Sequence, residues 1–272
     1  MNTGSSIEID PTFREVIKGT SSIFSSLCTT PIDRIVAAKM TGKKITRTYL
    51  CEIAHQPFLG AGPRLMSQSL GTLFTFGTAA ALYAPLEQNF PHHPIAASSL
   101  ALAAGTLLDR ITTSPMTTLG FRMQTQEKRL GEVFQEILKT GRPWRSLYAG
   151  TLTLMIRDLC YLPICIPLAE YINRFFAKRK EPSLALSTAT FIASGTVASC
   201  LSYPWQYIGM IQKDSLVPIS AMQVIKNTWT QRGFLGFYQG FGINLGRLAF
   251  LNLVFGASVS LVESFLKSLK QS

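Results

Sequence analysis

Charge is scarce in this chain, and acid is scarcer than base. Of its 272 residues only 15% are charged, with 15 acidic side chains against 26 basic ones. A chain this poor in charge and 47% hydrophobic is not a disordered one. Cysteine is too sparse to form a framework. The five residues, Cys28, Cys51, Cys160, Cys165 and Cys200, are odd in number and contain no Cys-x-x-Cys pair, which argues against both a disulfide scaffold and a zinc site. Histidine occurs three times, and His92-His93 has no further ligand near it in sequence, so the pair reads as ordinary loop residues rather than a metal site. The chain has no G-x-S-x-G, Walker A or H-E-x-x-H pattern. An enzyme therefore has no nucleophile, metal or cofactor to point to, and none is expected. Zinc-finger and RNA-binding signatures are also missing, which separates the net charge of +11 from nucleic acid. The first residues carry Glu8, Asp10 and Glu15 and lack both an apolar leader core and an acid-poor, Arg-rich transit helix, so any targeting is expected to be internal or C-terminal.

What the chain does have is apolar length. Its mean hydropathy of +0.22 leans toward a membrane. Six predominantly apolar segments run at about 12–40, 64–90, 94–122, 150–177, 183–212 and 240–268. Each is near or above the ~20 residues that cross a bilayer. They are rich in small residues, as in SSLALAAGTLLD and FIASGTVASCLS, and small residues let membrane helices approach closely. Basic residues collect between them, in TGKKITR, QEKRLGE, KTGRPWR and AKRKE, as in loops flanking spans. Three shorter stretches, about 45–55, 127–139 and 219–231, have helical character. In the second, Leu130, Val133, Phe134 and Ile137 fall at i, i+3, i+4 and i+7, an amphipathic surface helix placed to meet lipid headgroups. KRKEPS at 178–183 reads as a linker. The fold class expected is an all-α membrane protein with six transmembrane helices.

Aligning the prolines exposes a repeat. CTTPIDRIV, TTSPMTTLG and LSYPWQYIG place Pro31, Pro115 and Pro204 at spacings of 84 and 89 residues. FLGAGPRLM, SLYAGTLTL and GFYQGFGIN place Gly62, Gly150 and Gly240 at spacings of 88 and 90. The order recurs each time: apolar span with proline, short amphipathic helix, glycine, apolar span. This divides the chain into repeats at 1–90, 91–180 and 181–272. A proline within a membrane helix removes a backbone hydrogen bond and kinks it. Three such kinks in a three-fold bundle would draw the helices together at one end.

With these features the sequence resembles the mitochondrial carrier family. That family has three tandem two-helix repeats and a signature Pro-x-Asp/Glu-x-x-Lys/Arg. Pro31 and Asp33 match, but Val36 fills the basic slot. Repeat two keeps Pro115, Arg122 and Gln124, with Thr117 for the acid and Gly120 for the base. Repeat three keeps Pro204, with Gln206 and Gly209 in the charged slots. One of six gate charges survives, so the resemblance leaves Asp33, Thr117 and Gln206 as the matrix-side gate, with Arg34 as a local partner for Asp33. Of the family's second gate, late in each even helix, only Glu170 remains.

Seven residues beyond the opening glycines lie Ser69, Arg157 and Arg247, slots that line the family's central cavity. Arg157 is followed by Asp158, and by the resemblance this pair favours an amino-acid-like solute. A guanidinium binds a carboxylate through two hydrogen bonds, and a carboxylate pairs with an ammonium. Asp158 and Arg157 are weighed against a structural network with Asp109-Arg110, which face either the cavity or a neighbouring helix. Arg64, near a helix end, is read as snorkelling to headgroups. The resemblance implies a monomeric, multi-pass, pseudo-three-fold bundle in the mitochondrial inner membrane, with another organelle membrane left open. It would exchange a small charged metabolite by alternating access. Two alternatives stand beside this. A nucleotide carrier would use the arginines, with Asp158 repelling phosphates; a degenerate carrier fold would serve as a non-transporting adaptor or regulator.

Overall fold

The computed structural model describes residues 11–91, 94–177 and 184–271. His92, His93 and the linker 178–183 lie outside the described residues. Six long helices dominate: α1 (Pro11–Met40), α3 (Ala61–Asn89), α4 (Pro94–Gln126), α7 (Thr151–Ala177), α8 (Leu184–Asp214) and α10 (Phe241–Gln271). Between them run the short helices α2 (Arg47–His55), α5 (Leu130–Lys139), α6 (Pro143–Leu147) and α9 (Ala221–Arg232), and a 3-10 turn at Phe234–Tyr238. No strand occurs among the described residues. At about 1.5 Å per residue, helices of 27–33 residues are about 40–50 Å long, more than the hydrocarbon core of a bilayer.

The long helices pack in chain order as a ring. α1 packs on α3, α3 on α4, α4 on α7, α7 on α8 and α8 on α10, and α10 returns to α1. The seams α3–α4, α7–α8 and α10–α1 are the most extensive. Three of the short helices, α2, α5 and α9, begin with capping side chains. Thr46 accepts from the Tyr49 N–H, Glu132 reaches back to the Arg129 N–H, and Ser220 accepts from the Gln223 N–H. The expected amphipathic stripe of α5 divides in two. Val133 and Ile137 are fully buried against Leu119 and Met123 of α4 and Leu147, while Leu130, Phe134 and Leu138 stay exposed.

Pro31, Pro115 and Pro204 all lie inside long helices. A proline leaves the carbonyl four residues earlier without its helical donor. For Pro204 that carbonyl belongs to Cys200, and the Tyr238 hydroxyl donates to it at 3.1 Å.

The structure corrects the register of the first repeat. α7 and α10 begin directly after Gly150 (φ 74°) and Gly240 (φ 84°), in the left-handed region that favours glycine. The residue before α3 with that conformation is Gly60 (φ 79°), not Gly62, which lies inside the helix. Pro63 sits in the first turn of α3, where a missing N–H costs nothing. The three opening glycines are therefore 90 and 90 residues apart. Seven residues beyond Gly60 stands Ser67, so Ser67 and not Ser69 shares a register with Arg157 and Arg247.

By hydropathy alone, one stretch among the described residues, Phe234–Ser258, is long and apolar enough to cross a membrane. The other long helices carry ionisable and hydroxyl side chains, and many of these point into the bundle interior.

Candidate functional site

A cavity of about 590 Å³ opens between the long helices. Its polar lining includes Asp33 of α1, Arg64 and Ser67 of α3, Asp109, Arg110 and Thr117 of α4, Arg157 of α7, Gln206 of α8, and Asn244 and Arg247 of α10. Most of these positions come from the C-terminal halves of α1, α4 and α8 and the N-terminal halves of α3, α7 and α10, the end of the bundle that carries the short helices.

The ion pairs of this interior form two groups, each with one carboxylate shared by two guanidiniums. Asp33 is paired with Arg64 and, at 3.2 Å, with Arg247. Asp158 is paired with Arg157 and, at 2.5 Å, with Arg110. Each group therefore holds one positive charge beyond neutrality. Asp33 and Asp158 are all but buried, where an unpaired carboxylate would be strongly destabilising.

Three expectations, for Arg64, Arg34 and Ser69, change here. Arg64 does not snorkel; its guanidinium pairs with Asp33 and lines the cavity. Arg34 is not the local partner of Asp33, because its side chain turns away to donate to the Gln56 carbonyl at 2.6 Å, tying α1 to the end of α2. Asp33 does have an inter-repeat partner, which comes from the even helix α10 rather than from an odd-helix basic slot. The network of Asp158 with Arg110 is present, and Asp158 is not among the cavity-lining residues. Ser69 also lies off the cavity, with its hydroxyl donating to the Leu65 carbonyl at 2.9 Å.

Thr117 and Gln206 also receive cations. Lys213 Nζ donates to Thr117 Oγ1 at 2.5 Å, and Arg157 Nη1 reaches Gln206 Oε1 at 3.5 Å. Thus Asp33, Thr117 and Gln206, three equivalent slots in the repeat, each meet a basic side chain from elsewhere. Glu170 lies in α7, and its side chain is outside the described residues.

Two of the three empty basic slots, Gly120 and Gly209, sit at close helix contacts. A Cβ on Gly60 would sit 2.8 Å from the Gly120 carbonyl oxygen, and one on Gly150 would collide with the Gly209 carbonyl oxygen. A Cβ on Gly209 would itself meet Leu154 at 2.8 Å. Where the family pattern has a lysine or arginine, glycine lets one helix start press against the next helix backbone. Next to these seams α4 is clamped to α8. Buried Arg122 donates to the carbonyls of Lys213 (2.7 Å) and Ser215 (2.6 Å), and Thr125 bonds Asp214 at 2.5 Å.

Sequence reasoning misses Lys213 and Arg64 as interior cations. Lys213 falls just past the apolar segment that ends at 212, and its burial is set by α4, a long-range contact.

Comparison with known proteins places this geometry. The family model for "Mitochondrial carrier protein" matches residues 91–180 and 181–270. The chain belongs to the mitochondrial carrier protein family. Members of this family are transporters rather than enzymes. Over 189 residues the chain is 27% identical to the chloroplastic nicotinamide adenine dinucleotide transporter 1 of Arabidopsis thaliana, covering 63% of this chain and 60% of that protein. Over 196 residues it is 24% identical to an uncharacterized mitochondrial carrier of Schizosaccharomyces pombe, covering 68% of this chain and 56% of that protein. In both cases the chain spans less than two thirds of the relative's length.

Proposed function

We propose that this protein is a transmembrane carrier of a small anionic metabolite, held in the central cavity by Arg157 and Arg247 and moved by alternating access. The observation that carries the reading is the pair of interior groups in which two guanidiniums share one carboxylate. Each keeps donor capacity and one positive charge for an incoming anion. A volume of about 590 Å³ falls within the ~300–1,000 Å³ range of metabolite pockets. In this reading all six long helices span the bilayer, their interior charges lowering hydropathy without facing lipid. The membrane is the mitochondrial inner membrane, with other organelles open given the chloroplastic relative.

An amino acid is the first candidate solute. It needs an acid to receive its ammonium, and Asp158 is already held by two arginines. The name of the Arabidopsis relative supports a second solute, a nicotinamide dinucleotide, whose pyrophosphate suits two guanidiniums. Thermal unfolding of detergent-purified protein against amino acids, nucleotides, keto acids and dinucleotides separates these readings, because a bound solute stabilises by mass action. One class is expected to raise the midpoint, and Arg157→Ala to abolish the rise. No rise with any class would contradict the carrier reading and favour a non-transporting adaptor.

A further inference from the structure

A third carboxylate enters the cavity. Asp109 of α4 lines the same space as Arg64, Arg110, Arg157 and Arg247. Unlike Asp33 and Asp158, it has no cation at ion-pair distance among the described residues, and the adjacent Arg110 is committed to Asp158. Its Oδ1 accepts one hydrogen bond from Thr113 Oγ1 at 2.9 Å. Gly71 of α3 faces it: a Cβ there would sit 2.6 Å from Oδ1, so this glycine leaves room for the carboxylate.

We propose that Asp109, seated between Gly71 and Thr113, is the cation-receiving subsite of the cavity, and that the solute is an anion bearing one cationic nitrogen. The inference rests on the carrier reading and adds the solute's charge pattern to it. Two arginine groups with one positive charge each call for anionic groups on the solute. A carboxylate with one hydroxyl donor and no ion pair is only partly compensated by arginines beyond ion-pair distance, and a solute cation bound there supplies the missing contact. Asp109 thereby takes the role that Asp158, saturated by Arg110 and Arg157, does not have free. The same chemistry is found in an amino acid and in an oxidised nicotinamide dinucleotide, whose pyridinium is the cation.

The test uses two matched probe pairs on the full-length purified protein. Oxidised and reduced nicotinamide adenine dinucleotide share their phosphates and differ in the ring's positive charge. Glutamate and glutarate share their carboxylates and differ in the ammonium. In the wild type, one pair is expected to show the cationic member bound about tenfold tighter, and Asp109→Asn to bring that pair to within about twofold while the anion-only member binds at least as tightly as before. The retained affinity also reports that the variant is folded. Gly71→Ala, which crowds the carboxylate, is expected to erode the same preference and serves if Asp109→Asn does not fold. The pair that responds names the solute class. A preference that survives Asp109→Asn, or wild type that binds the anion-only members equally well, overturns the subsite while leaving the carrier reading intact. Folded wild type that binds neither pair overturns the anion-carrier reading and the subsite with it.

Discussion

Asp33 shows how much one residue decides here. Its carboxylate is nearly buried and is shared by Arg64 and Arg247 from two other helices. Removing one partner of a buried ion pair leaves uncompensated charge and typically costs about 3–5 kcal/mol. Asp33→Asn, which keeps the shape, is therefore expected to lower the unfolding midpoint in detergent markedly. Arg34→Ala, which loses one backbone contact and its packing, is expected to lower it less. Equal effects would contradict the pairing. Asp33, Arg157 and Arg247 are legible as interior residues from sequence, because an ionisable side chain in an apolar, small-residue segment is tolerated when it faces the bundle interior rather than lipid. Their partners are not legible. Which guanidinium reaches which carboxylate depends on contacts across 31 positions for Arg64 with Asp33, and across most of the chain for Arg247 with Asp33.

At the scale of elements, the opening glycines carry the packing. Gly60, Gly150 and Gly240 combine a left-handed backbone with close contact, Gly60 against α4, Gly150 against α8, and Gly240 against Met40, Lys39 and Tyr203. Gly150→Ala meets both penalties, about 1–2 kcal/mol for the positive φ and more for the collision with the Gly209 carbonyl. Gly62→Ala, in open space inside α3, is expected to be neutral or slightly stabilising. Thermal unfolding of the two variants side by side checks this, and a larger loss at Gly62 would favour Gly62 as the opening glycine. The six long helices and three of the short ones are readable from apolar length and i, i+3, i+4 spacing. The choice between Gly60 and Gly62 is not, since both glycines precede the same apolar run. An even spacing of 90 residues on each side is the available signal. Pro63 obscures it, because a proline after a glycine looks like a loop in sequence and here belongs to the first helical turn.

For the molecule as a whole, the order of segments is written along the chain, whereas the closure of α10 onto α1 and the shared carboxylates are products of the ring. The uncharged slots of the Pro-x-Asp/Glu-x-x-Lys/Arg pattern look like decay in sequence. In three dimensions, glycine seams at Gly120 and Gly209 and the cations on Asp33, Thr117 and Gln206 occupy that end of the bundle. A helix bundle with excess positive charge in its interior is stabilised by an anion it holds, and in the proposed carrier reading that anion is the solute. The most direct measurement is counter-exchange in liposomes reconstituted with the full chain, loaded with and exposed to labelled anionic metabolites. Saturable exchange of one anion class is predicted in wild type, reduced by about tenfold or more in Arg157→Ala and Arg247→Ala, as the loss of a charge-assisted contact implies. Folded protein that exchanges none of these anions, or exchange indifferent to both arginines, would contradict it.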